Sequence, residues 1–341
     1  MRIGLLTGGG DAPGLNGIIE ATSRALLKNN CEVVGICDGF EGVFGKNTIQ
    51  INSQNILGIH SQAGTFIGTS NRSGIQGREK EFLKKYKELK LDGLIVAGGD
   101  GTFRCLEPVK DQVKIIGVPK TIDNDLSGTE ATFGYDTACS VICDAVDSLR
   151  ATALAHRRVI VVEAMGRTAG WLAIGGGIAS YADAIFIPEI PFHSKKFTAF
   201  LKERQKEVRG MVIVASEGVL IEQAPVKRKK DKSGVSEVVQ DYGIGHKLSR
   251  WIEKTVQWES RCVVLGHLQR SRMPTPTDRF LTTSMGLKAA ELALKRGWGS
   301  AVVYREGRVT SAPLQVVMGP PRLVDKDHRW VNMARGLGIF I

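Results

Sequence analysis

The sequence lacks any apolar run long enough to cross a membrane. The stretch RVIVVEAMG at residues 158–166 ends well short of the roughly 20 residues that a membrane-spanning helix requires. The start, MRIGLLTGGG, reaches its glycines after one strand's length and shows neither the apolar region nor the cleavage site of a signal peptide. We therefore expect a cytoplasmic protein that does not bind membranes.

Several common ligand-binding motifs are also absent. The six cysteines show no paired C-x-x-C spacing for zinc, which favours buried, reduced thiols. No G-x-x-x-x-G-K-[ST] occurs, so a Walker-type phosphate loop is excluded. The stretch GGGDAPG at residues 8–14 has Pro13 where the dinucleotide-binding fingerprint has its third glycine.

Glycine and positive charge are in excess. The chain has 40 glycines among 341 residues, about 12%, where average usage is near 7%. Lysine and arginine outnumber aspartate and glutamate by 46 to 35, which gives a formal net charge of +11. This charge suits small phosphorylated substrates, acidic lipids or nucleic acid. Because aromatic residues are few and are not interleaved with the basic patches, we expect no nucleic-acid partner.

Short apolar runs alternate along the chain with segments of helical period. The predicted helices are 15–28, 78–90, 136–154, 195–208, 237–254 and 278–296. The apolar runs lie at 2–7, 32–37, 93–99, 114–119, 159–164, 211–216 and 262–266. They are continuous rather than alternating, which indicates strands buried on both faces. The pattern predicts parallel sheets covered by helices, an α/β fold.

Polar or glycine-rich clusters follow directly on the predicted strands. They are TGGGD at 7–11, GGDGT at 98–102, PKTIDND at 119–125, MGR at 165–167, SEG at 216–218 and GHLQR at 266–270. In open parallel sheets, ligands bind outside the carboxyl ends of the strands. Glycines there expose backbone amides to phosphate, and a following helix adds a favourable dipole. The clusters together predict a catalytic cleft.

The segment TIDND at 121–125 is the most specific of these clusters. So many polar groups, two of them acids, would be costly in a core turn without a cation or a reacting hydroxyl. A magnesium ion would hold one carboxylate ionised and leave another to accept a proton. A solvated Asx turn is the structural alternative.

Taken in order, the motifs resemble those of the 6-phosphofructokinase family. The landmarks are GGGDAPGLN, GTS followed by Arg72, GGDGT, PKTIDND, RRVIVVEAMGR, ASEG and SRCVVLGHLQR, and they extend from Ile3 to about Asp278. The resemblance implies a kinase that transfers a phosphoryl group from ATP to the 1-hydroxyl of fructose 6-phosphate, with Mg²⁺ as cofactor.

The resemblance also implies two Rossmann-like, three-layer α/β domains with mainly parallel sheets. Nucleotide and magnesium would bind to residues 1–136 together with about 268–300. The sugar phosphate would bind to residues 137–267 together with about 301–320, and 321–341 would form a C-terminal segment. The family's sugar-phosphate site includes residues from a neighbouring subunit, so a homotetramer or a homodimer is implied.

On the donor side, the resemblance assigns the general base to Asp123, which would take the proton of the attacking hydroxyl. Thr121 would position the phosphoryl group, and Asp100 would bind magnesium. Asp125 would support that ion or the network around Asp123. Arg167 would supply positive charge to the transferred group. The other nucleotide- or phosphate-binding residues would be Gly8, Gly9, Gly10, Arg72, Gly101, Thr102 and Lys120. For Arg72, a surface ion pair is the alternative.

On the acceptor side, the resemblance implies a separate basic pocket. Guanidinium groups suit phosphate because they grip two oxygens in one plane. The residues matched to the sugar's 6-phosphate are Arg158, Arg261, His267 and Arg270, and those matched to the sugar are Met165, Gly166 and Glu217. In the family, the residues that match Arg158 and Arg261 reach in from a neighbouring subunit.

Two positions point to different phosphoryl donors. Glycine at the position of Gly101 goes with ATP in this family, whereas lysine at the position of Lys120 is usual in pyrophosphate enzymes. An aspartate in place of Gly101 would obstruct and repel the α-phosphate of a nucleotide, while a lysine adds attraction without excluding ATP. We therefore predict ATP as donor, with pyrophosphate as the alternative.

Three other interpretations are open. An NAD or lipid kinase would share GGDGT but not PKTIDND or GHLQR, and a silent regulatory subunit would be expected to lose Asp123 or Asp100. Nucleic-acid binding rests on charge alone. Glu20 stands where bacterial ATP enzymes carry an effector-binding arginine, so we assign neither ADP nor phosphoenolpyruvate as an effector.

Overall fold

The computed structural model describes residues 1–71, 74–221, 227–230, 236–239 and 243–341. The chain divides into two compact units, each discontinuous in sequence. The first unit is Met1–Thr137 with Arg270–Arg322, and the second is Ala138–Gln269 with Leu323–Ile341. Residues 301–320 therefore belong to the first unit, not to the second as predicted, because they extend the first unit's sheet.

The first unit is built on a seven-stranded sheet. Its strands are β1 (Arg2–Thr7), β2 (Glu32–Ile36), β3 (Thr48–Ile51), β4 (Gly93–Gly98), β5 (Ile115–Pro119), β12 (Ser300–Arg305) and β13 (Arg308–Pro313). Their spatial order is β13-β12-β5-β4-β1-β2-β3. The five central strands are parallel, and β3 and β13 pair antiparallel at the two edges. The central strands β1, β4 and β5 are the continuous apolar runs that predicted a sheet buried on both faces.

Helices cover both faces of the first sheet. They are α1 (Leu15–Lys28), α2 (Phe40–Gly45), α3 (Glu79–Glu88), α4 (Asp100–Leu106) and α9 (Pro276–Leu294). On one face, Leu15, Ile19 and Met285 belong to a core cluster that α1 and α9 share with the strands. On the other face, Phe82 and Phe103 belong to a second cluster with α2, α3 and α4. The unit is therefore a three-layer structure.

Helices α1 and α9 approach each other unusually closely. A Cβ added at Gly17 would collide with the side chain of Thr282, and one added at Gly286 would lie 2.8 Å from the Cβ of Ala21. Any larger residue at these positions would force the helices apart. The two glycines thus allow α1 to pack closely against α9. Helix α1 follows the first glycine-rich cluster.

The second unit has a smaller, wholly parallel sheet. Its strands are β6 (Val159–Ala164), β7 (Ala184–Phe186), β8 (Met211–Ser216) and β11 (Ser260–Val264), in the order β11-β6-β8-β7. Its helices are α6 (Trp171–Ala179), α7 (Ser194–Glu207), α8 (Ile244–Val256), α10 (Arg329–Gly336) and α5 (Tyr135–His156), of which the residues to Thr137 count with the first unit. Strands β9 (Lys227–Lys230) and β10 (Ser236–Val239) pair antiparallel.

The second sheet is also covered on both faces. Phe197 of α7 and Leu248 of α8 pack in a core cluster beneath one face. Beneath the other, α6 lies so close to the sheet that a Cβ at Gly177 would be 2.7 Å from the side chain of Ile185. The prediction of two Rossmann-like α/β units with mainly parallel sheets is confirmed.

The prediction of a helix over 237–254 is wrong at its start. Residues 236–239 belong to β10, and the helix begins at Ile244. No helix within the described ranges is both long enough and apolar enough to span a membrane.

Candidate active site

Three of the predicted clusters lie at one edge of the first sheet. Strands β1, β4 and β5 are parallel neighbours, so their carboxyl ends meet at the same edge. The glycine-rich turn follows β1, Asp100 follows β4, and the TIDND turn follows β5. The structure thus brings Asp100 and Asp123 to one mouth of the sheet, as expected from the parallel order.

The turn after β1 is held by backbone hydrogen bonds. Gly8 N–H donates to the carbonyl of Ala97 at 2.9 Å, and the Gly9 carbonyl accepts from the Thr69 hydroxyl at 2.7 Å. Gly9 has φ 78°, a left-handed conformation that favours glycine. A Cβ at Gly8 would lie 2.7 Å from the buried Thr102 side chain, so Thr102 packs beneath this turn.

Lys120 lies buried at the centre of this edge. Only 2% of the residue is exposed, and its ammonium donates a hydrogen bond to the carbonyl of Gly10. Burial lowers the pKa of Lys120 to about 7, and the positive charge of Arg270 acts in the same direction. Three acids oppose this shift, namely Asp11, Asp123 and Asp100. The ammonium therefore feels the charges of all three clusters at once.

Asp11 is a site residue that sequence analysis did not select. Its Oδ1 atom is buried and has no hydrogen-bond partner among the described residues. Burial raises the pKa of Asp11, although the Ala12 N–H and the charges of Lys120 and Arg270 oppose the rise. The stretch GGGDAPG contains a signal that could have identified Asp11. An acid inside a phosphate-binding glycine turn places its negative charge next to that of the phosphate, so a compensating cation is needed.

The TIDND turn is buried rather than solvated. Asp123 is 5% exposed, and its backbone N–H donates to the Thr121 hydroxyl at 3.1 Å. Asn124, with φ 53°, accepts from the Thr132 N–H at 3.0 Å, and the Thr132 hydroxyl donates to the Thr121 carbonyl at 2.8 Å. At the far end, the half-buried Asp125 accepts from the Arg322 N–H through its carbonyl. These bonds fix the turn that carries the Asp123 carboxylate, and the solvated alternative is wrong.

The cluster after β4 is more open to solvent. The Asp100 carboxylate pairs with Arg104, one turn further along α4, at 2.7 Å. A Cβ added at Gly101 would meet no heavy atom within 4 Å. The space beside Gly101 is therefore available to a ligand, and a larger residue would fit there without disturbing the fold.

Of two further predicted arginines, the structure describes one. Arg270 belongs to the first unit, where its guanidinium donates to the Asp11 carbonyl at 2.6 Å and lies against Gly10. It therefore contacts the glycine-rich turn of the first unit. Arg72 lies outside the described residues.

In the second unit, predicted sugar-contact residues gather at the carboxyl edge of the sheet. Met165, Gly166 and Arg167 follow β6, and Glu217 follows β8 next to it. The Glu217 carboxylate accepts from the Arg167 N–H at 3.0 Å. The backbone of Met165 is held by the buried Gln269, whose side-chain oxygen accepts from the Met165 N–H at 2.9 Å. His267, exposed, lies in a short 3₁₀ helix that follows β11.

Arg158 and Arg261 lie at the opposite edge of that sheet. Arg158 immediately precedes β6, and Arg261 is the second residue of β11. The six residues of β6 separate Arg158 from Met165, a distance of roughly 20 Å along the strand. Within one copy of the unit, the structure therefore does not bring these arginines together with Met165, Glu217 and His267.

Glu20 is held in the interior of the first unit by the Arg24 guanidinium, the His60 imidazole and backbone amides. Its carboxylate, only 5% exposed, pairs with Arg24 at 2.7 Å and with the His60 imidazole at 2.9 Å, and it accepts from the His60 N–H at 2.8 Å. Burial alone would raise the pKa of Glu20, but the hydrogen bonds from His60 and Arg24 outweigh burial and lower it. The residue thus anchors the turn at Ile59–Ser61.

We expect Glu20→Ala to lower the free energy of unfolding by about 2 kcal/mol or more at pH 7, because the hydrogen bonds of Arg24 and His60 to a charged acceptor are lost. Since folding lowers the pKa of Glu20, its stabilisation is present above the ordinary glutamate range and is lost as pH falls through the folded-state value. The destabilisation at pH 7 should therefore shrink when the pH is lowered beneath the ordinary glutamate pKa of 4.5. Urea unfolding at both pH values measures this, and an equal loss at both would contradict it.

The residues at the carboxyl edge of the first sheet fit a magnesium ion bound jointly with phosphate. Within the described ranges no group of three or more His, Cys, Asp and Glu side chains could hold a metal alone. Magnesium in phosphate-transfer sites uses one or two carboxylates, with phosphate and water completing its shell. Asp100 and the buried Oδ1 of Asp11 offer carboxylate oxygens of this kind.

Comparison with known proteins places the whole chain among phosphofructokinases. The family model described as "Phosphofructokinase" matches residues 2–293. The ATP-dependent 6-phosphofructokinase of Chloroflexus aurantiacus (strain J-10-fl) is 39% identical over 354 aligned residues, which cover 99% of this chain and 97% of that protein.

Two solved phosphofructokinase structures have a similar fold. Phosphofructokinase from Saccharomyces cerevisiae superposes with a TM-score of 0.80 at 28% identity, over 93% of this chain and 44% of the yeast chain. This chain thus spans less than half of the yeast chain. Pyrophosphate-dependent phosphofructokinase from Marinobacter aquaeolei gives a TM-score of 0.84 at 20% identity, over 100% of this chain and 88% of that chain. At that identity the likeness concerns the fold.

Proposed function

Because the chain belongs to the phosphofructokinase family, we propose that it transfers the terminal phosphoryl group of ATP to the 1-hydroxyl of fructose 6-phosphate. The products are fructose 1,6-bisphosphate and ADP. The relative from Chloroflexus aurantiacus is named for this activity, and its similarity to this chain extends over nearly the full length of both proteins.

One observation carries the proposal. A buried lysine, a glycine-rich turn and three acids converge at the carboxyl edge of β5, β4 and β1. Phosphoryl transfer depends mainly on positioning and on stabilising negative charge. The turn brings its backbone to this edge of the sheet, and the Lys120 ammonium, bonded to the Gly10 carbonyl, adds a positive charge there.

In this proposal, Asp123 accepts the proton of the 1-hydroxyl as that oxygen attacks phosphorus. A carboxylate can do so only if it stays ionised and correctly aimed. The buried turn supplies the aim through the bonds among Thr121, Asn124 and Thr132. The Lys120 cation, when protonated, favours the charged form of the carboxylate.

We propose that Asp100, with Asp11, holds Mg²⁺ together with the phosphates of the donor. The ion, when bound, neutralises negative charge on those phosphates. The Asp100–Arg104 pair would then have to loosen, which is feasible because it is partly exposed and such pairs contribute little stability. The Gly8 and Gly9 N–H groups already donate to the carbonyls of Ala97 and Ser70, so Gly10 is the glycine that presents its amide to phosphate, and Lys120 adds charge.

For the acceptor, we propose that Met165, Gly166, Glu217 and His267 of the second unit bind the sugar phosphate, with Arg167 as an additional cation. Arg158 and Arg261 lie at the far edge of the same sheet. Their placement supports the proposal that they bind the 6-phosphate of a substrate held by another copy, so that the active enzyme is a homo-oligomer.

Pyrophosphate is the second candidate donor, and Lys120 is the observation that favours it. The test is an activity matrix with purified protein, in which ATP or pyrophosphate is combined with fructose 6-phosphate or another sugar phosphate and Mg²⁺. We expect the highest kcat/KM with ATP and fructose 6-phosphate. Turnover with pyrophosphate alone would make the second candidate correct, and no turnover with either donor would refute both.

We expect Gly101→Asp to reduce kcat/KM for ATP by at least about tenfold, through repulsion and steric exclusion of the nucleotide's α-phosphate. Because a side chain at residue 101 would face open space, the substitution should leave the melting temperature nearly unchanged. Steady-state kinetics with varied ATP measure the effect.

Gly101→Ala is the matched control, since it adds a Cβ without charge. It should retain most ATP-dependent activity, because no protein atom lies within 4 Å of that Cβ. If Gly101→Asp used ATP as well as the unmodified protein, the nucleotide would not pass beside residue 101.

A further inference from the structure

A single carboxylate lies between the two arginines at the amino edge of the second sheet. Oε1 of Glu259 is 3.2 Å from Nη2 of Arg158 and 2.6 Å from Nη2 of Arg261. One oxygen atom thus receives two guanidinium groups. Carboxylate and phosphate oxygens are recognised by guanidinium in the same way, so this arrangement is also a binding geometry for phosphate.

The sheet itself sets this arrangement. Val159 N–H donates to the Glu259 carbonyl at 2.9 Å, and Val159 pairs with Ser260 at the start of the β6–β11 ladder. Arg158 and Glu259 therefore lie side by side just before the two strands begin. The indole N–H of Trp258 donates to the Arg157 carbonyl at 2.9 Å and ties the same two segments together.

Arg261 does not depend on Glu259 for its position. Its Nη1 atom lies 3.1 Å from the Glu253 carboxylate and donates to the Ser260 carbonyl at 2.8 Å. The Glu253 carboxylate is itself held by the Ser260 N–H at 3.0 Å. Removing Glu259 would therefore leave the Arg261 guanidinium in place, with one fewer negative charge beside it.

We infer that Glu259 is an internal anion that occupies the phosphate position between Arg158 and Arg261, and that the substrate's 6-phosphate displaces it. The inference rests on the proposed function, which assigns these arginines to the sugar phosphate. Glu259 is 44% exposed, so its side chain can swing into solvent when a phosphate arrives. A phosphate carries up to two charges on three oxygens and outcompetes the single carboxylate.

Glu259→Gln tests the inference, because it keeps the shape of the side chain and removes its charge. With ATP saturating and at low ionic strength, we expect KM for fructose 6-phosphate to fall about threefold to tenfold, with a smaller change in kcat. The gain should diminish at high salt, since exposed charges are screened. An unchanged or increased KM would overturn the inference, because Glu259 would then not compete with phosphate.

Two controls separate this effect from a general change in charge. Glu88→Gln removes a similar surface carboxylate, paired with Lys46 in the first unit, and should leave KM unchanged. In an Arg158→Gln background, Glu259→Gln should lower KM for fructose 6-phosphate by a smaller factor than it does alone. One of the two arginines for which Glu259 and phosphate compete is then missing. Equal gains in both backgrounds would contradict the competition.

Calorimetric titration of the full oligomer without a phosphoryl donor gives a readout independent of turnover. Fructose 6-phosphate and inorganic phosphate should bind more tightly to Glu259→Gln, and unphosphorylated fructose should not. If the unmodified protein neither phosphorylates nor binds fructose 6-phosphate, the proposed function fails. Tighter binding of inorganic phosphate by Glu259→Gln would still support the role of Glu259, whereas its absence would refute that role as well.

Discussion

Replacing Asp123 with asparagine is expected to lower kcat by about a thousandfold, within the 10²–10⁴ range of general-base catalysis. The amide keeps the size of the side chain but cannot accept the proton of the sugar hydroxyl. KM for fructose 6-phosphate and for ATP should change much less, because neither binding pocket loses a contact of its own. Steady-state kinetics, with a melting curve to check the fold, measure the effect.

Asp111→Asn is a matched control on the same unit, since Asp111 is exposed and lies outside the proposed site. It should retain full activity. The kcat of Asp125→Asn should lie between those of Asp123→Asn and Asp111→Asn. Asp125 is assigned to the surroundings of the base rather than to proton transfer. Turnover of Asp123→Asn within about tenfold of the unmodified protein would remove Asp123 from the chemistry.

Replacing Lys120 with methionine is expected to stabilise the protein while disabling it. The net influence of the surroundings, acids included, disfavours the charge of this buried ammonium, since its pKa falls from 10.5 to about 7. A neutral side chain of similar length removes that cost, and we expect the free energy of unfolding at pH 6 to rise by about 2 kcal/mol or more. Activity should fall by about 10²-fold in kcat/KM, because the phosphates lose a cation.

The pH dependence gives this prediction a sign. Between about pH 7 and 10.5, the unfolded chain keeps the proton on Lys120 that the folded chain has released. Folding stability from this group therefore rises with pH across that window. The advantage of Lys120→Met should accordingly be largest at pH 6 and shrink by pH 9.

Guanidinium-chloride unfolding at pH 6 and pH 9, alongside kinetics at both, checks the prediction. Lys84→Met, on the exposed side of α3, is the control for loss of a lysine and should shift neither property. A Lys120→Met protein that was less stable at pH 6 would mean that the bond to Gly10 outweighs the cost of the buried charge.

Much of the fold was predictable because the informative strands are continuous apolar runs. GLIVAG and VIVVEA, for example, become β4 and β6, buried at every residue. Two of the strands that the sequence did not predict have weaker signals. β7 is three residues long, and β13 carries exposed polar residues at the edge of its sheet. Because the sequence does not predict β12 and β13, it does not show that residues 301–320 extend the first unit's sheet, and their predicted assignment to the second unit is wrong.

The candidate site was predictable where it follows strand order. The parallel β1–β4–β5 order predicts that the turns at Gly8, Asp100 and Asp123 meet, and they do. Side-chain environment was not predictable in the same way. That Lys120 is buried among charges, and that Arg270 lies against the glycine turn, depends on contacts between residues more than a hundred positions apart.

The close contact of α1 and α9 has a consequence for the glycine turn that precedes α1. Gly17 and Gly286 leave no room for the helices to slide, and Asp278 of α9 also holds the Gly134 and Thr137 N–H groups that follow the TIDND turn. The segments that follow the turns after β1 and β5 thus both contact α9. A phosphate-binding edge that is preorganised in this way loses little conformational entropy when the phosphates bind. More of the free energy of the contacts therefore remains for affinity and catalysis.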